Sequence, residues 1–157
     1  MEQRLHYAKA SPDSALAMSG LERAVHASDI ERSLIELIKM RASQINGCAY
    51  CLDMHWKDAR AGGESEQRLY SLDAWRETPF YTDRERAALA WTEAVTLVAA
   101  THVPDEVYAE ARAHFSEREL VEVTLAIIAI NGWNRLSIAF RTTPGTYEPR
   151  PHESHTA

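Results

Sequence analysis

The amino-acid sequence predicts an all-α protein with a single domain. Apolar residues recur at the three- and four-residue spacing of a helix face in segment after segment, and the period-two alternation of strands is almost absent. Thr82 with Glu85, and Ser116 with Glu119, have the spacing of a capping box, in which each side chain satisfies a free amide of the first helical turn. At 157 residues the chain can bury one sizeable core, and no repeat or long linker divides it. We therefore predict one helical domain over residues 1–142.

The first strong helix is predicted from about Ser28 to Gln44. Its apolar residues follow helical spacing: Ile30, Leu34, Leu37, Ile38 and, just beyond, Ile45. Asn46 and Gly47 then end it. A second helix is predicted to begin near Cys48 and to end at the glycine pair 62–63, because glycine adopts the left-handed conformation of a helix C-cap without penalty.

The rest of the chain is predicted to be helical up to residue 142. Four further helices are expected, from about Glu66 to Trp75, from Thr82 to about Ala100, from Pro104 onward, and from Ser116 to Ile130. The last is apolar on nearly every side, which is typical of a helix buried in a core or an oligomer interface. Gly132 is expected to bend or interrupt it before residues 133–140. Residues 143–157 contain four Pro or Gly residues and little to bury, so we predict a flexible tail.

The composition excludes several classes of protein. Apolar residues make up 45% and charged residues 25%, as in ordinary globular proteins. The formal net charge of -6, with Lys and Arg scattered along the chain, argues against nucleic-acid binding. Residues 1–20 lack the apolar core of a secretory signal, and the apolar stretch 120–130 is shorter than a membrane span and contains Glu122. We expect a cytoplasmic protein without a transmembrane helix.

The two cysteines, Cys48 and Cys51, form a Cys-x-x-Cys pair. No others exist to build the disulfide framework of a small secreted domain, so the pair is expected to be redox-active or metal-binding. On a helix, Cys48, Cys51 and His55 fall within roughly 60° of one another. A helix N-terminus and a nearby imidazole both favour the thiolate, and two intervening residues allow an internal disulfide.

Two other interpretations compete with redox chemistry. The cysteines can be small buried hydrophobes beside a core histidine. Alternatively, Cys48, Cys51 and His55 can bind zinc, although a structural zinc site usually has a fourth ligand and none follows at the usual spacing. The sequence favours the redox interpretation, with no metal and no cofactor.

The segment ELIKMRASQINGCAYCLDMH, from Glu36 to His55, resembles the signature of the AhpD-like alkylhydroperoxidases in the carboxymuconolactone decarboxylase superfamily. Glu36 lies twelve positions before Cys48, and His55 lies four after Cys51. The resemblance extends to ERAALAWTEAVT at residues 85–96 and INGWNRLSIAFR at residues 130–141, and so covers most of the chain. It implies an AhpD-like helical bundle that assembles into trimers or hexamers.

The resemblance also implies a peroxidase or disulfide-reductase cycle. Cys51 would attack the peroxide and become a sulfenic acid, Cys48 would donate a proton and resolve the intermediate, and His55 and Glu36 would relay protons. The substrate would be a hydroperoxide or a partner disulfide, and the reductant an external dithiol of the lipoyl or thioredoxin-like kind. Helical spacing by itself predicts a different place for Glu36, on a solvated face and paired with Lys39.

One position departs from the family pattern. AhpD has a second histidine between its cysteines, where this chain has Tyr50, so a simpler proton relay is expected. The superfamily's decarboxylases lack the redox cysteine pair, which argues against lactone decarboxylation. The alternative function is a non-catalytic oligomeric binding or redox-sensing module, or a superfamily member with another, decarboxylase-like activity. Other candidate residues are expected to have surface, packing or pairing roles: His26, His102, His114, His152, His155, Glu93, Trp133, Asn134 and Arg135.

Overall fold

A computed structural model describes residues 2–149 and confirms the all-α, single-domain prediction. Within these residues there are nine α-helices and no strand. The helices are α1 Tyr7–Ala10, α2 Pro12–His26, α3 Arg32–Asn46, α4 Ala49–Ala61, α5 Glu66–Ser71, α6 Asp83–Thr96, α7 Val98–Thr101, α8 Asp105–His114 and α9 Glu117–Phe140, with a 3-10 helix at Leu72–Glu77 after α5.

Helix α3 is the centre of the fold. It packs against α4, α6 and α9, and eight of its fifteen residues are buried. Leu34 and Ile38 face the core formed with α6 and α9, whereas Leu37 and Met40 pack with the 3-10 helix and α6. A helix buried on several sides gives a firm support for the functional groups at its C-terminal end.

The two capping boxes form as predicted. Thr82 and Glu85 exchange side-chain and backbone hydrogen bonds at the start of α6, and Ser116 with Glu119 does the same for α9. The helix predicted from Thr82 to Ala100 is divided, because the backbone leaves the helical region at Leu97 before the short α7. The helix predicted to end at Trp75 changes to 3-10 geometry at Leu72.

Of the bend or interruption predicted at Gly132, the interruption is wrong, because α9 runs through that position. A Cβ atom built on Gly132 would lie 2.7 Å from Cε of Met18 on α2. The absence of a side chain therefore lets α2 approach α9 closely. By length and composition α9 resembles a membrane span, as core helices also do, and one side is buried in the core through Leu120, Val123 and Ile127.

The N-terminal helices α1 and α2 were not apparent from the sequence. Helix α2 buries only Val25 fully, so its apolar pattern is weak. The N-terminal segment is attached to the end of α9, since the backbone N–H and side chain of Arg4 donate to the carbonyls of Phe140 and Ala139. This attachment brings α1 next to Trp133 and Phe140.

The described part of the predicted tail lies against α4. The Tyr147 hydroxyl donates to Asp58, the Gly145 N–H donates to Asp53, and Lys57 donates to the Tyr147 carbonyl. These contacts hold Gly145 and Tyr147 of the predicted tail against α4. The remaining residues of the tail, 150–157 with His152 and His155, lie outside the described residues.

Candidate active site

The turn between α3 and α4 places the cysteine pair. Gly47 ends α3 in the left-handed conformation, with φ 68°, and the backbone N–H of Cys48 donates to the Ser43 carbonyl at 3.0 Å. Cys48 is then extended and forms the N-cap of α4, where its sulfur accepts the N–H of Cys51 at 3.4 Å. The helix therefore begins one residue later than Cys48, and one amide of its first turn, that of Cys51, points at the Cys48 sulfur.

The two cysteines form a disulfide, with their Cα atoms 5.4 Å apart. Each residue is only 1% exposed, and both pack against Ala42 of α3 and Ile130 of α9. Cys51, but not Cys48, lines the neighbouring pocket. A molecule in that pocket would therefore meet Cys51 rather than Cys48.

His55 and Glu36 join α4 to α3 beside the disulfide. The Nδ1 atom of His55 lies 2.8 Å from Oε2 of Glu36. The His55 side chain is 5% exposed and that of Glu36 is 18% exposed, so water screens the contact only weakly. The expectation that Glu36 is solvated and paired with Lys39 is wrong, because Lys39 bonds Glu22 of α2 at 2.7 Å.

The pKa of Glu36 lies below its ordinary value of 4.5. Burial by itself favours the neutral acid, but the hydrogen bond from His55, together with the charges of His55 and Lys39, outweighs it. Glu36 is therefore a carboxylate at neutral pH. It holds the imidazole of His55 in one orientation and leaves Nε2 free to accept or donate a proton.

A pocket of about 460 Å³ opens beside Cys51. This volume lies in the range of about 300–1,000 Å³ that is usual for small-molecule sites. Its walls come from α1, α2, α3, α4 and α9: Tyr7, Ser19, Glu22, His26, Glu36, Lys39, Tyr50, Cys51, Met54, His55, Asp58, Trp133 and Ser137. Tyr7, Glu22, Lys39 and Asp58 were not identified from the sequence, since helical spacing does not show which helices meet.

A buried polar network holds the end of α3 against α9. Asn134, which is fully buried, accepts a hydrogen bond from Asn46 at 2.8 Å and donates one to Ser43 at 3.0 Å. Asn131 also accepts a bond from Asn46, at 3.0 Å. Ser43 and Asn46 belong to the last turn of α3, just before Gly47. The network therefore fixes the position from which α4 and its cysteines start.

The remaining candidate residues have mainly structural partners. Glu93 accepts hydrogen bonds from Trp75 and Arg41 and pairs with Arg76, which matches the expectation of a paired carboxylate. His102 is exposed, and His26 belongs to the pocket wall.

Three side chains have the chemistry and spacing to hold a metal ion. The possible ligand atoms of Glu36, His55 and Asp58 all lie within 4.8 Å of one another. This set differs from the Cys48, Cys51 and His55 set considered from the sequence, whose two sulfurs are bonded to each other here. Each of the three residues would supply one ligand atom, and Nδ1 of His55 already lies 2.8 Å from Oε2 of Glu36.

Comparison with known proteins identifies the family. The sequence model of the carboxymuconolactone decarboxylase family matches residues 12–94, slightly more than half of the chain. The chain belongs to this family. The family match covers α2 to α6 and so contains both cysteines, His55 and Glu36.

Individual relatives support the AhpD-like subdivision of the carboxymuconolactone decarboxylase family. The uncharacterised protein YdfG of Bacillus subtilis is 48% identical over 139 residues, which are 88% of this chain and 95% of YdfG. A protein of unknown function from Agrobacterium tumefaciens, which has been proposed to be the antioxidant defence protein AhpD, has a crystal structure that superposes with a TM-score of 0.90. The two sequences are 49% identical, and the superposition covers 93% of this chain and 100% of the Agrobacterium chain.

A further solved structure is that of the debrominase Bmp8. It superposes with a TM-score of 0.79 at 26% identity, over 88% of this chain and 74% of Bmp8. A debrominase thus has a similar fold, and the fold alone does not decide the activity of this chain.

Proposed function

We propose that this protein is a thiol-dependent peroxidase or disulfide oxidoreductase of the AhpD type. The proposal depends on the position of Cys51, which lines a pocket of small-molecule size. Cys51 forms a disulfide with Cys48, which does not line that pocket. It also lies one helical turn from His55, which pairs with Glu36. The AhpD-like relatives support the proposal. A cysteine pair that only fills space in the core would not need to line a pocket.

The first half of the cycle oxidises the pair. The Cys51 thiolate attacks the terminal oxygen of a hydroperoxide, the O–O bond breaks, and Cys51 becomes a sulfenic acid while the alkoxide takes a proton and leaves as an alcohol. The Cys48 thiolate then attacks the Cys51 sulfur, and hydroxide leaves and is protonated to water. His55 moves these protons, and Glu36 orients it. Two electrons pass from the cysteine pair to the peroxide.

The second half reduces the pair. A thiolate of an external dithiol attacks the Cys51 sulfur, the S–S bond breaks, and Cys48 leaves as a thiolate. The N–H of Cys51 and the start of α4 stabilise the negative charge on Cys48. The second thiol of the donor then attacks its own sulfur in the mixed disulfide, so that Cys51 is released and the donor is oxidised. If a partner disulfide enters instead of the peroxide, the reduced cysteine pair reduces it by the reverse of this thiol–disulfide exchange.

The proposal is tested by dithiol-dependent consumption of an organic hydroperoxide. Cys51→Ser should lower turnover by at least about a hundredfold, and Cys48→Ser should slow it strongly because the sulfenic acid can then be resolved only by the external dithiol. Ala49→Ser places the same hydroxyl at an exposed position between the cysteines and should retain wild-type activity. Unchanged turnover in either cysteine variant would contradict the proposal.

A further inference from the structure

The pocket beside Cys51 is negatively charged. Among its described lining residues are three carboxylates, Glu22, Glu36 and Asp58, and one ammonium group, Lys39. Lys39 bonds Glu22 at 2.7 Å, and its side chain is 3% exposed, so these two groups neutralise each other. The negative charges of Glu36 and Asp58 remain, and both lie on the side of the pocket formed by α3 and α4.

The other titratable groups of the wall do not cancel this charge. Burial and the charge of Lys39 lower the pKa of His26, so its imidazole is neutral at pH 7. Asp58 accepts a hydrogen bond at 2.7 Å from the Tyr147 hydroxyl, which satisfies the carboxylate without adding a positive charge. Even when a protonated His55 neutralises Glu36, Asp58 leaves the lining negative.

The surrounding wall strengthens the effect of these charges. Tyr7, Tyr50, Met54 and Trp133 present aromatic rings and a polarisable thioether to the pocket. Apolar walls lower the local dielectric constant and focus the field of the carboxylates. Aromatic faces also attract cations and do not attract carboxylates.

A ligand must enter this field to react. Cys51 is 1% exposed, so a thiol, disulfide or hydroperoxide reaches its sulfur only from within the pocket. A carboxylate on such a molecule would lose water while approaching Glu36 and Asp58. An ammonium group would lose water too, but it would gain the attraction of the same carboxylates.

We propose that this pocket selects neutral and cationic small molecules and discriminates against those that carry a carboxylate. The inference rests on the proposed redox function of Cys51 and adds the charge class of its substrate and reductant. Asp58 is then a specificity-determining residue on α4. It acts by its charge and takes no part in the bond changes at sulfur.

The test uses three small thiols that differ in charge: cysteamine, 2-mercaptoethanol and 3-mercaptopropionate. Each thiolate attacks the Cys51 sulfur and releases Cys48, and a second molecule then releases Cys51, so two thiols become one disulfide and the enzyme gains two electrons. The initial rate at which each thiol reduces the Cys48–Cys51 disulfide is measured by alkylating the freed cysteines and recording the intact mass of the protein. It is divided by the rate of the same thiol with a neutral small-molecule disulfide, which removes the thiol's intrinsic reactivity.

The wild-type protein should react at least about tenfold faster with cysteamine than with 3-mercaptopropionate after this correction, with 2-mercaptoethanol between them. The ratio should shrink at high salt concentration, because counter-ions screen the carboxylates. Equal corrected rates for the cation and the anion would overturn the inference and leave the redox function standing. If no thiol, dithiothreitol included, reduced the disulfide, both the charge selectivity and the proposed redox function would be overturned.

A matched pair of variants on α4 separates the pocket charge from the total charge. Asp58→Asn removes a pocket carboxylate while its amide oxygen still accepts the bond from Tyr147. Asp53→Asn removes the same charge outside the pocket lining and likewise keeps an acceptor for Gly145. Asp58→Asn should reduce the cation-to-anion ratio about threefold, and Asp53→Asn should leave it unchanged. Equal effects of the two variants would contradict the role of Asp58.

Discussion

Glu36 shows at the scale of a single residue how the site is held. It lies on α3 and bonds His55 on α4, so one contact both joins the two helices and orients the imidazole beside Cys51. Its carboxylate form is favoured by the hydrogen bond and charge of His55 against the effect of burial. Stability and the proposed proton relay therefore depend on the same ionised group.

Glu36→Gln is expected to lower the free energy of unfolding at pH 7 by about 1 kcal/mol, because a charged hydrogen bond is replaced by a neutral one. The folded state lowers the pKa of Glu36, so its ionisation stabilises the fold above the ordinary value of 4.5, and this contribution is lost as the pH falls through the lowered pKa. Urea unfolding over a pH series measures the difference.

The difference between wild type and Glu36→Gln should therefore diminish as the pH falls below 4.5. Glu110→Gln, at an exposed position of α8, is the control and should behave like wild type. A difference that stays constant down to acid pH would show that the ionisation of Glu36 is not linked to folding.

Positions within one helix could be predicted from the sequence, whereas contacts between helices could not. Helical spacing was enough to bring Cys48, Cys51 and His55 together, because all three belong to α4 or its N-cap. The same spacing assigned Glu36 to solvent, since its partner lies on another helix. Tyr7 and Asp58 were missed for the same reason, as contacts between helices are not encoded in the period of either one.

Among the elements, the turn between α3 and α4 depends on one residue in the left-handed backbone conformation. Gly47 has φ 68°, and a Cβ atom there would meet nothing within 4 Å. A side chain at this position would therefore be strained by the backbone alone. The capping boxes and this glycine were visible in the sequence because their signals are local, whereas Gly132 serves a contact between α2 and α9 and was taken for a break.

Gly47→Ala should lower the free energy of unfolding by about 1 kcal/mol, because the left-handed conformation is unfavourable for a residue with a Cβ atom. Gly20→Ala is the opposite case, since Gly20 lies inside α2 and its added Cβ would make an ordinary contact with Arg23 at 3.6 Å. It should stabilise the protein by up to about 1 kcal/mol. Thermal unfolding of both variants measures the effects, and a stabilising Gly47→Ala would contradict the role given to the turn.

At the scale of the whole molecule, the outer side of α9 is unusually apolar. Val121 is 69% and Ile128 is 51% exposed, and Leu97 and Val98 of the α6–α7 junction are also exposed. Exposed apolar patches of this kind mark interaction surfaces. The sequence resemblance implied trimers or hexamers, and we expect a second copy of the chain to cover this patch.

Ile128→Glu should therefore reduce the assembly to smaller species, because a carboxylate would be buried without a partner in the interface. Light scattering after size-exclusion chromatography gives the mass. Tyr70→Glu, at a residue of α5 that is 66% exposed, places the same charge elsewhere and should leave the assembly intact. A monomeric wild type, or an Ile128→Glu protein of unchanged mass, would contradict this expectation.

In the proposed cycle the Cys51 sulfur reacts with the substrate, and the Cys48 sulfur then forms the disulfide. The most direct measurement is peptide mass spectrometry after treating each reduced single-cysteine variant with an organic hydroperoxide and a sulfenic-acid trap. The Cys48→Ser protein should carry the trapped adduct on Cys51 within one turnover, and the Cys51→Ser protein should react on Cys48 much more slowly. An adduct that forms first or equally fast on Cys48 would contradict the assignment.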